Sequence, residues 1–509
     1  MGRAGHGGGR YTGEPAGDAR PALRGWVASS ARGVLANTAY LWAMRMEDTI
    51  CALSTAPGQG AIALIRVSGP QTKAVINKVF RPRSARHELE KARAYQNLVG
   101  YLLRDKEIID EVVVAWYQGP QSYTGEDVAE IACHGSPYVT EQILRSLLAA
   151  GARLADPGEY TLRAYINGKM DLSQAEAVAD LIAAENQAAH KVAMQQLRGG
   201  ISAEIRQLRE ELINFVALIE LELDFSEEDV EFADRAALES LLARIEEVLR
   251  HLLDSYSTGN AIKNGVPVAI VGAPNAGKST LLNALLNEEK AIVTEVAGTT
   301  RDAIEDEITL DGIRYRFIDT AGIRETEDQV EKIGIQRTFE KIALSDVVLF
   351  LFDAYAARLP ERQALLAEEI ALLRQHTEGK TLLILGNKTD RLEAEGLAPW
   401  QPPGEAVVWV SAQPKKGLEA LREKLQEKYR WQDLAAQQSI VTSARHVNAL
   451  EQSLADIQKV KEGLAAGLSG DLLSLDIREA LQHLGSIIGE VDVDKDILGA
   501  IFGKFCIGK

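Results

Sequence analysis

Cysteine is scarce in this chain, and the little it has builds no framework. Cys51, Cys133 and Cys506 are an odd number, lie far apart and lack the spacing of a zinc site or disulfide scaffold. That usage suits a reducing compartment, and cytoplasmic localisation is expected. Long apolar runs are missing too. The longest, such as VVLFLF at 347–352, have the length of a buried strand, so no membrane insertion is expected. Net positive charge is also lacking. A formal charge of −17 disfavours an unaided grip on a polyanion, so a nucleic-acid partner needs a local basic patch or a basic companion. What remains is ordinary for globular proteins, with 46% hydrophobic and 25% charged residues. A chain of 509 residues exceeds one hydrophobic core and suggests roughly two to four domains.

Positions 1–45 differ from the rest: six arginines, no lysine, and only Glu14 and Asp18 as acids. No apolar segment precedes a small-residue cleavage site, which argues against a signal peptide. The expectation is a disordered leader, or a start placed too early with Met44 or Met46 as the true one. A targeting or RNA-binding arm is the alternative.

From Thr49 the runs TICALS, AIALIRVSG, IIDEVVVAWY and VAEIACHG predict an α+β domain over 46–170. Helical spacing follows over 171–263. Ser173-x-x-Glu176 reads as a capping box, and Val178, Leu181, Ile182, Ala189 and Val192 continue a helical face. Leu208, Leu212, Phe215 and Ile219 form a second stripe, and Leu238, Leu241, Leu242, Ile245, Leu249 and Leu252 a third. The period then changes. VPVAIVG, RYRFIDT, VVLFLFD, TLLILGN and VVWV predict a mostly parallel sheet with helices on both faces over 264–430. Over 431–509 the helical stripe returns with Val447, Leu450, Leu454, Ile457 and Leu464, then Ile477, Leu481, Leu484 and Ile488. Helices on both sides of an α/β unit suggest one bundle with an insertion, two separate helical domains being the alternative.

Within the insertion, Gly272-Ala-Pro-Asn-Ala-Gly277-Lys278-Ser279 follows an apolar strand and precedes a helix-like segment. Its glycines let backbone N–H groups wrap phosphate, and the helix N-terminus adds a favourable dipole. The predicted contacts are Asn275, Ala276, Gly277, Lys278, Ser279 and Thr280, with Lys278 on the β and γ phosphates and Ser279 on Mg²⁺. Asp319-Thr320-Ala321-Gly322 ends the strand RYRFI, placing an Asp near Mg²⁺ and the Gly322 N–H near the γ phosphate. Thr299 and Thr300 lie in the polar loop AGTTRD, and Thr300 is the choice for completing the Mg²⁺ shell. Asn387-Lys388-Thr389-Asp390 reads the base. Its carboxylate accepts from guanine N1–H and the 2-amino group, which adenine lacks. Ser411, Ala412 and Gln413 follow VVWV, where a backbone N–H meets guanine O6. The expected activity is Mg²⁺-dependent GTP hydrolysis.

The group that activates water stays open on these grounds. Ile323 stands directly after Asp-x-x-Gly, where Ras-like enzymes place a glutamine. Glu325, Glu327, Asp328, Gln329 and Glu331 are candidates, with Arg301 and Arg324 for charge stabilisation.

From about Glu47 to Lys509 the motifs resemble the MnmE (TrmE) family of tRNA uridine-modification GTPases. The marks are APGQGAIALIRVSG, YTGEDVAEIACHG, PGEYTLRAYINGKMDLSQAEAVADLI, GAPNAGKSTLLNALL, VAGTTRD, DTAGIRETEDQVEKIGI and terminal FCIGK. The resemblance implies a folate-binding aminomethyltransferase-like N-terminal domain that forms a homodimer, and a discontinuous helical domain with an inserted Ras-like P-loop GTPase. It implies work with the FAD protein MnmG (GidA) to place an aminomethyl or carboxymethylaminomethyl group on C5 of the wobble uridine of certain tRNAs. A tetrahydrofolate derivative, 5-formyl or methylene, would supply the one-carbon unit. Positions matching the folate motifs are Arg66, Glu130, Lys169 and Lys509; read without the resemblance, they are surface charges or a local salt bridge. For hydrolysis the resemblance implies K⁺ held by Asn275 of the phosphate loop together with Thr294, Val296 and Thr299 of the segment Thr294, Glu295, Val296, Ala297, Gly298 and Thr299. It assigns Glu331 as the catalytic glutamate and makes Cys506 a candidate C-terminal functional thiol, a buried or tail-packed thiol being the equal reading. A GTP-dependent assembly or ribosome-associated switch protein is the competing reading.

Overall fold

The structure is a computed structural model. It describes residues 47–84, 89–224, 235–289, 306–310, 312–318, 339–427, 439–490, 498, 501–503, 505 and 508. They form two compact units: described residues up to Met170 with those from Asp496 onward, and those of Asp171–Lys495.

The first unit is built on seven strands: β1 (Ile50–Leu53), β2 (Ile62–Ser68), β3 (Phe80–Pro82), β4 (Gln96–Arg104), β5 (Glu107–Tyr117), β6 (Val128–His134) and β7 (Arg153–Leu154). Their order is β3-β4-β5-β6-β2-β1-β7, antiparallel except for the β1–β7 pair. Side chains alternate between faces along a strand. Ala63, Ile65 and Val67 of β2 and Ile131 and Cys133 of β6 therefore join one core, with Val75 and Ile76 of α1 (Thr72–Val79) and Ile143 and Leu147 of α2 (Pro137–Ala149). The intervening positions Arg66 and Glu130 face the other way and are direct cross-strand partners. A third helix, α3 (Glu159–Ile166), carries the buried Tyr160 and Arg163. Phe502, Phe505 and Gly508 lie with this unit, where Ser54 Oγ donates to Gly508 O at 3.1 Å.

The second unit begins with α4 (Leu172–Ala183), α5 (Gln187–Leu197), α6 (Gly200–Asp224) and α7 (Arg235–Asn264). Two sequence expectations are corrected here. The α4 capping box is Asp171-x-x-Gln174, not Ser173-x-x-Glu176: Gln174 N donates to Asp171 Oδ1 and Asp171 N to Gln174 Oε1, both at 2.9 Å. Aspartate and serine cap comparably well, so packing decides: Glu176 is drawn to Arg445 and does not turn back to close a box with Ser173. Ser173 instead lies within the helix, and Glu176 serves a buried contact described below. Ile182 is 50% exposed, because the face expected to run from Val178 to Val192 breaks at the turn between α4 and α5.

A six-stranded sheet follows: β8 (Val266–Val271), β9 (Asp306–Leu310), β10 (Ile313–Phe317), β11 (Val347–Asp353), β12 (Thr381–Asn387) and β13 (Val407–Trp409). The order is β13-β12-β11-β8-β10-β9, parallel throughout except for the β9–β10 hairpin. Val268 and Ile270 pack on one face with α8 (Lys278–Glu289) and α11 (Leu418–Glu427). Ala269 and Val271 pack on the other with α9 (Pro360–His376). A short α10 (Thr389–Ala394) follows β12. Helices α12 (Ala444–Ala465) and α13 (Gly470–Ile488) then return to α6 and α7. Leu212, Leu242, Leu450 and Ile477 belong to one core cluster, so helices from both sides of the insertion share it. No helix among the described residues is long and apolar enough to cross a membrane.

Candidate functional site

The carboxyl ends of β8, β11 and β12 place their loops at one edge, the usual binding edge of a parallel sheet. Gly272 closes β8 at φ +143°, and a methyl there would collide with Leu351 O of the neighbouring strand. Gly277 has φ +98°, and a methyl would strike Asn387 Nδ2. Both positions thus need glycine for close approach as well as for backbone angle. Between them Asn275 is exposed at φ +64°, and Ala276 is buried. Lys278 Nζ donates to Gly272 O at 2.9 Å and Ala273 O at 3.0 Å, which places the ammonium inside the loop. Burial, helped by the charge of Lys341, lowers the pKa of Lys278, so an anion in the loop meets a poorly hydrated cation. Ser279 is half-buried and Thr280 exposed in the first turn of α8, whose leading N–H groups lack intrahelical acceptors.

Asn387 ends β12 almost fully buried and joins both halves of the site. Its Nδ2 donates to Ala276 O at 2.8 Å, and its Oδ1 accepts from Ala412 N at 3.1 Å. Lys388 reaches back to the phosphate loop, donating to Asn275 O at 2.8 Å. Thr389 Oγ1 donates to Val410 O at 3.2 Å, which aligns the segment with β13. Asp390 is exposed and accepts from the Ser411 hydroxyl. Ser411 is fixed in turn by exchanging backbone hydrogen bonds with Lys416, and Gln413 is exposed beyond it. The expected phosphate and base segments thus meet through backbone and side-chain bonds. One member escaped the sequence reading: Asp353, whose Oδ2 accepts from Lys388 Nζ at 2.8 Å. Its signal was an aspartate closing the otherwise apolar run VVLFLFD.

Thr294, Glu295, Val296, Ala297, Gly298, Thr299, Thr300, Asp319, Thr320, Ala321, Gly322 and Glu331 lie outside the described residues. So do the other water-activating candidates from Arg301 to Gln329, together with Cys506 and Lys509.

In the first unit, Arg66 and Glu130 form a largely buried ion pair, with Arg66 Nη2 at 2.7 Å and Nε at 2.9 Å from Glu130 Oε1. The local salt bridge considered on sequence is therefore present. The Arg66 guanidinium lies 5.2 Å from the Tyr123 ring centre and 5.6 Å from that of Tyr160. Its Nη1 is buried with no hydrogen-bond partner, so one donor remains for an incoming acceptor. Tyr117 OH stands 3.5 Å from Glu130 Oε2, and burial raises its pKa, helped by the Glu130 charge. Lys169 Nζ donates to Pro120 O at 2.9 Å, in the loop that also carries Tyr123. That loop is anchored from below. Fully buried Arg163 contacts Glu126 at 3.0 Å and Glu159 at 2.9 Å, and Ser68 Oγ donates to Glu126 at 2.7 Å.

Two family models match: "MnmE helical domain" over residues 172–506 and "GTP-binding protein TrmE N-terminus" over 49–169. A "tRNA modification GTPase MnmE" of Christiangramia forsetii is 52% identical over 476 residues, covering 92% of this chain and 100% of that protein. Its counterpart in Flavobacterium psychrophilum is 51% identical over 466 residues, covering 92% and 100%. Among solved structures, the FeoB G-domain of Methanococcus jannaschii is similar at 26% identity and a TM-score of 0.23, covering 32% of this chain and 98% of that one.

Proposed function

The chain belongs to the MnmE (TrmE) family of tRNA modification GTPases, and we propose that its GTP hydrolysis is Mg²⁺-dependent, K⁺-stimulated and coupled to C5 modification of the wobble uridine. Hydrolysis of GTP and participation in tRNA modification come with the family. The finer reading adds a homodimer that works with an FAD-dependent MnmG partner to install an aminomethyl or carboxymethylaminomethyl group. The observation that supports the GTP-binding part is the Asn387 amide, which ties the phosphate loop to the base-reading turn at one sheet edge; the dimer, the partner and the uridine chemistry rest on membership of the family.

Lys278 and the backbone amides of the loop hold the β and γ phosphates, and Asp390 accepts the two donors of guanine. Ser279 offers a hard hydroxyl oxygen at the head of α8, a donor chemistry that fits Mg²⁺, with Thr300 as its companion. Ser279 and Thr300 would hold Mg²⁺ there, which would supply neutralisation of the charge on the triphosphate. Asn275 is an exposed amide at the loop tip, an oxygen donor suited to K⁺, joined by Thr294, Val296 and Thr299. Glu331 orients the attacking water. In the first unit the unpaired Arg66 Nη1 fits an acceptor oxygen of a tetrahydrofolate derivative, with Lys169 and Lys509 for its acidic tail. Glu130 already holds Arg66 through Oε1, so it orients the guanidinium, and Oε2, which Tyr117 OH approaches at 3.5 Å, has a further lone pair for a ligand N–H. The net charge of −17 leaves much of the tRNA grip to the partner.

Replacing the catalytic glutamate, Glu331→Ala, is expected to lower GTP turnover on the order of a hundredfold, with GTP affinity nearly unchanged. Phosphate release under saturating GTP and K⁺ measures this, and native turnover would remove Glu331 from the mechanism. Wobble uridines that keep normal C5 modification in cells lacking the protein would overturn the tRNA part.

A further inference from the structure

Asp353 belongs to none of the nucleotide-binding motifs, yet it lies where they meet. Strand β11 ends at Asp353 directly beside Asn387 of β12 in parallel register, which brings the carboxylate next to Lys388. Oδ1 accepts from the amides of Tyr355 at 2.9 Å and Ala356 at 3.1 Å, and these fix the carboxylate. Oδ2 accepts from Lys388 Nζ at 2.8 Å, and the same ammonium donates to Asn275 O at 2.8 Å. Asn275 and Lys388 both have left-handed backbone, at φ +64° and +65°. Residues with a Cβ seldom adopt that conformation, and it persists where surrounding contacts over-determine it.

We propose that Asp353 is a positioning residue of the guanine-nucleotide site: it holds the Lys388 ammonium against the Asn275 carbonyl and so locks the base-reading segment to the phosphate loop. The proposal rests on reading Lys388 as part of the guanine site. A lysine on a flexible four-carbon stem, once released by its carboxylate, turns toward solvent, and the loop loses its tether. Asp353→Asn separates the two jobs of the residue. The amide oxygen still accepts from Tyr355 and Ala356, while the charge that fixes Lys388 is gone.

The test is equilibrium titration of the full chain with a fluorescent GDP derivative at fixed Mg²⁺, using the native protein, Asp353→Asn, Lys388→Ala and the double variant. Asp353→Asn is expected to weaken binding roughly tenfold and Lys388→Ala at least as much, with the double variant no weaker than Lys388→Ala alone. Native affinity in Lys388→Ala overturns the guanine-site reading and this proposal with it. Weak binding by Lys388→Ala with native affinity in Asp353→Asn, or additive losses in the double variant, overturns the proposal alone.

Discussion

Asp390 and Asn387 are three residues apart, yet the fold gives them opposite environments. Asn387 is buried and fully engaged by the backbone of two loops, so its part is to join them. Asp390 is exposed, held by one hydroxyl from Ser411, and keeps acceptor capacity for a base. On the proposed reading a carboxylate there would select guanine, because both acceptors would meet donors, whereas an amide would place a donor against the guanine N2 amine. Asp390→Asn is therefore expected to weaken GTP binding roughly a hundredfold or more and to favour xanthosine triphosphate, whose C2 carbonyl accepts from the new amide. Competitive titration of the two nucleotides measures the switch, and an unchanged preference for guanine would take base reading away from Asp390. The same contrast explains what could be read in advance. Lys278, Ser279 and Asp390 sit in a short motif that states its chemistry locally. Asp353 does not, because its role arises only when β11 and β12 pair in register.

At the scale of elements, Glu176 shows a helix residue diverted from the expected cap. Asp171 caps α4, and Glu176, one turn further, is left to enter the bundle. Its Oε1 accepts from Arg445 Nε at 2.9 Å, and its Oε2 lies 2.9 Å from His446 Nε2. Arg445 of α12 also donates to Ile487 O at 2.9 Å, so α4 and the end of α13 meet at one guanidinium. Burial pushes the Glu176 pKa up, but His446 and Arg445 outweigh it and bring it down to about 2. A carboxyl depressed in the folded state contributes stability that is present above its unfolded pKa of about 4.5 and lost as pH falls toward 2. The native chain is thus expected to lose helical-unit stability between about pH 4.5 and 2, and Glu176→Gln to lose less over that range. Urea midpoints at pH 6 and pH 3 would check this, and equal losses in both proteins would remove Glu176 as a source of acid sensitivity. The helical stripes of α6, α7, α12 and α13 were legible because one apolar face recurs every three to four residues. The α4 cap and the break before α5 were not. Asp171 and Ser173 offer competing caps two residues apart, and only packing around Glu176 settles between them.

Across the whole second unit, the chain leaves the bundle after α7 and returns at Ser439. Gly259 of α7 lets the returning segment press close, since a methyl there would collide with Val441 O. Gln196 Nε2 donates to Ile440 O at 3.0 Å, and Val441 N donates to Ser255 Oγ at 3.1 Å, so exit and re-entry are stitched together. The bundle core itself draws on α6, α7, α12 and α13 and contains no residue of the six-stranded sheet. Its driving force, burial of leucine and isoleucine faces, therefore survives without the insertion. Replacing 266–438 by a short Gly-Ser linker is expected to abolish guanine-nucleotide binding yet keep one cooperative helical unfolding transition. The midpoint should fall somewhat, because Val192, Ala261 and Ile262 lose the neighbours they bury against in the insertion. A chain that stops at Asn264 should instead lose the transition, since Leu242, Ile245 and Leu249 would face water without α12 and α13. Far-UV circular dichroism against urea distinguishes the two. If the linked chain unfolded gradually like the truncated one, the helices before and after the insertion would not form a single folding unit, and the insertion would be the element that holds them together.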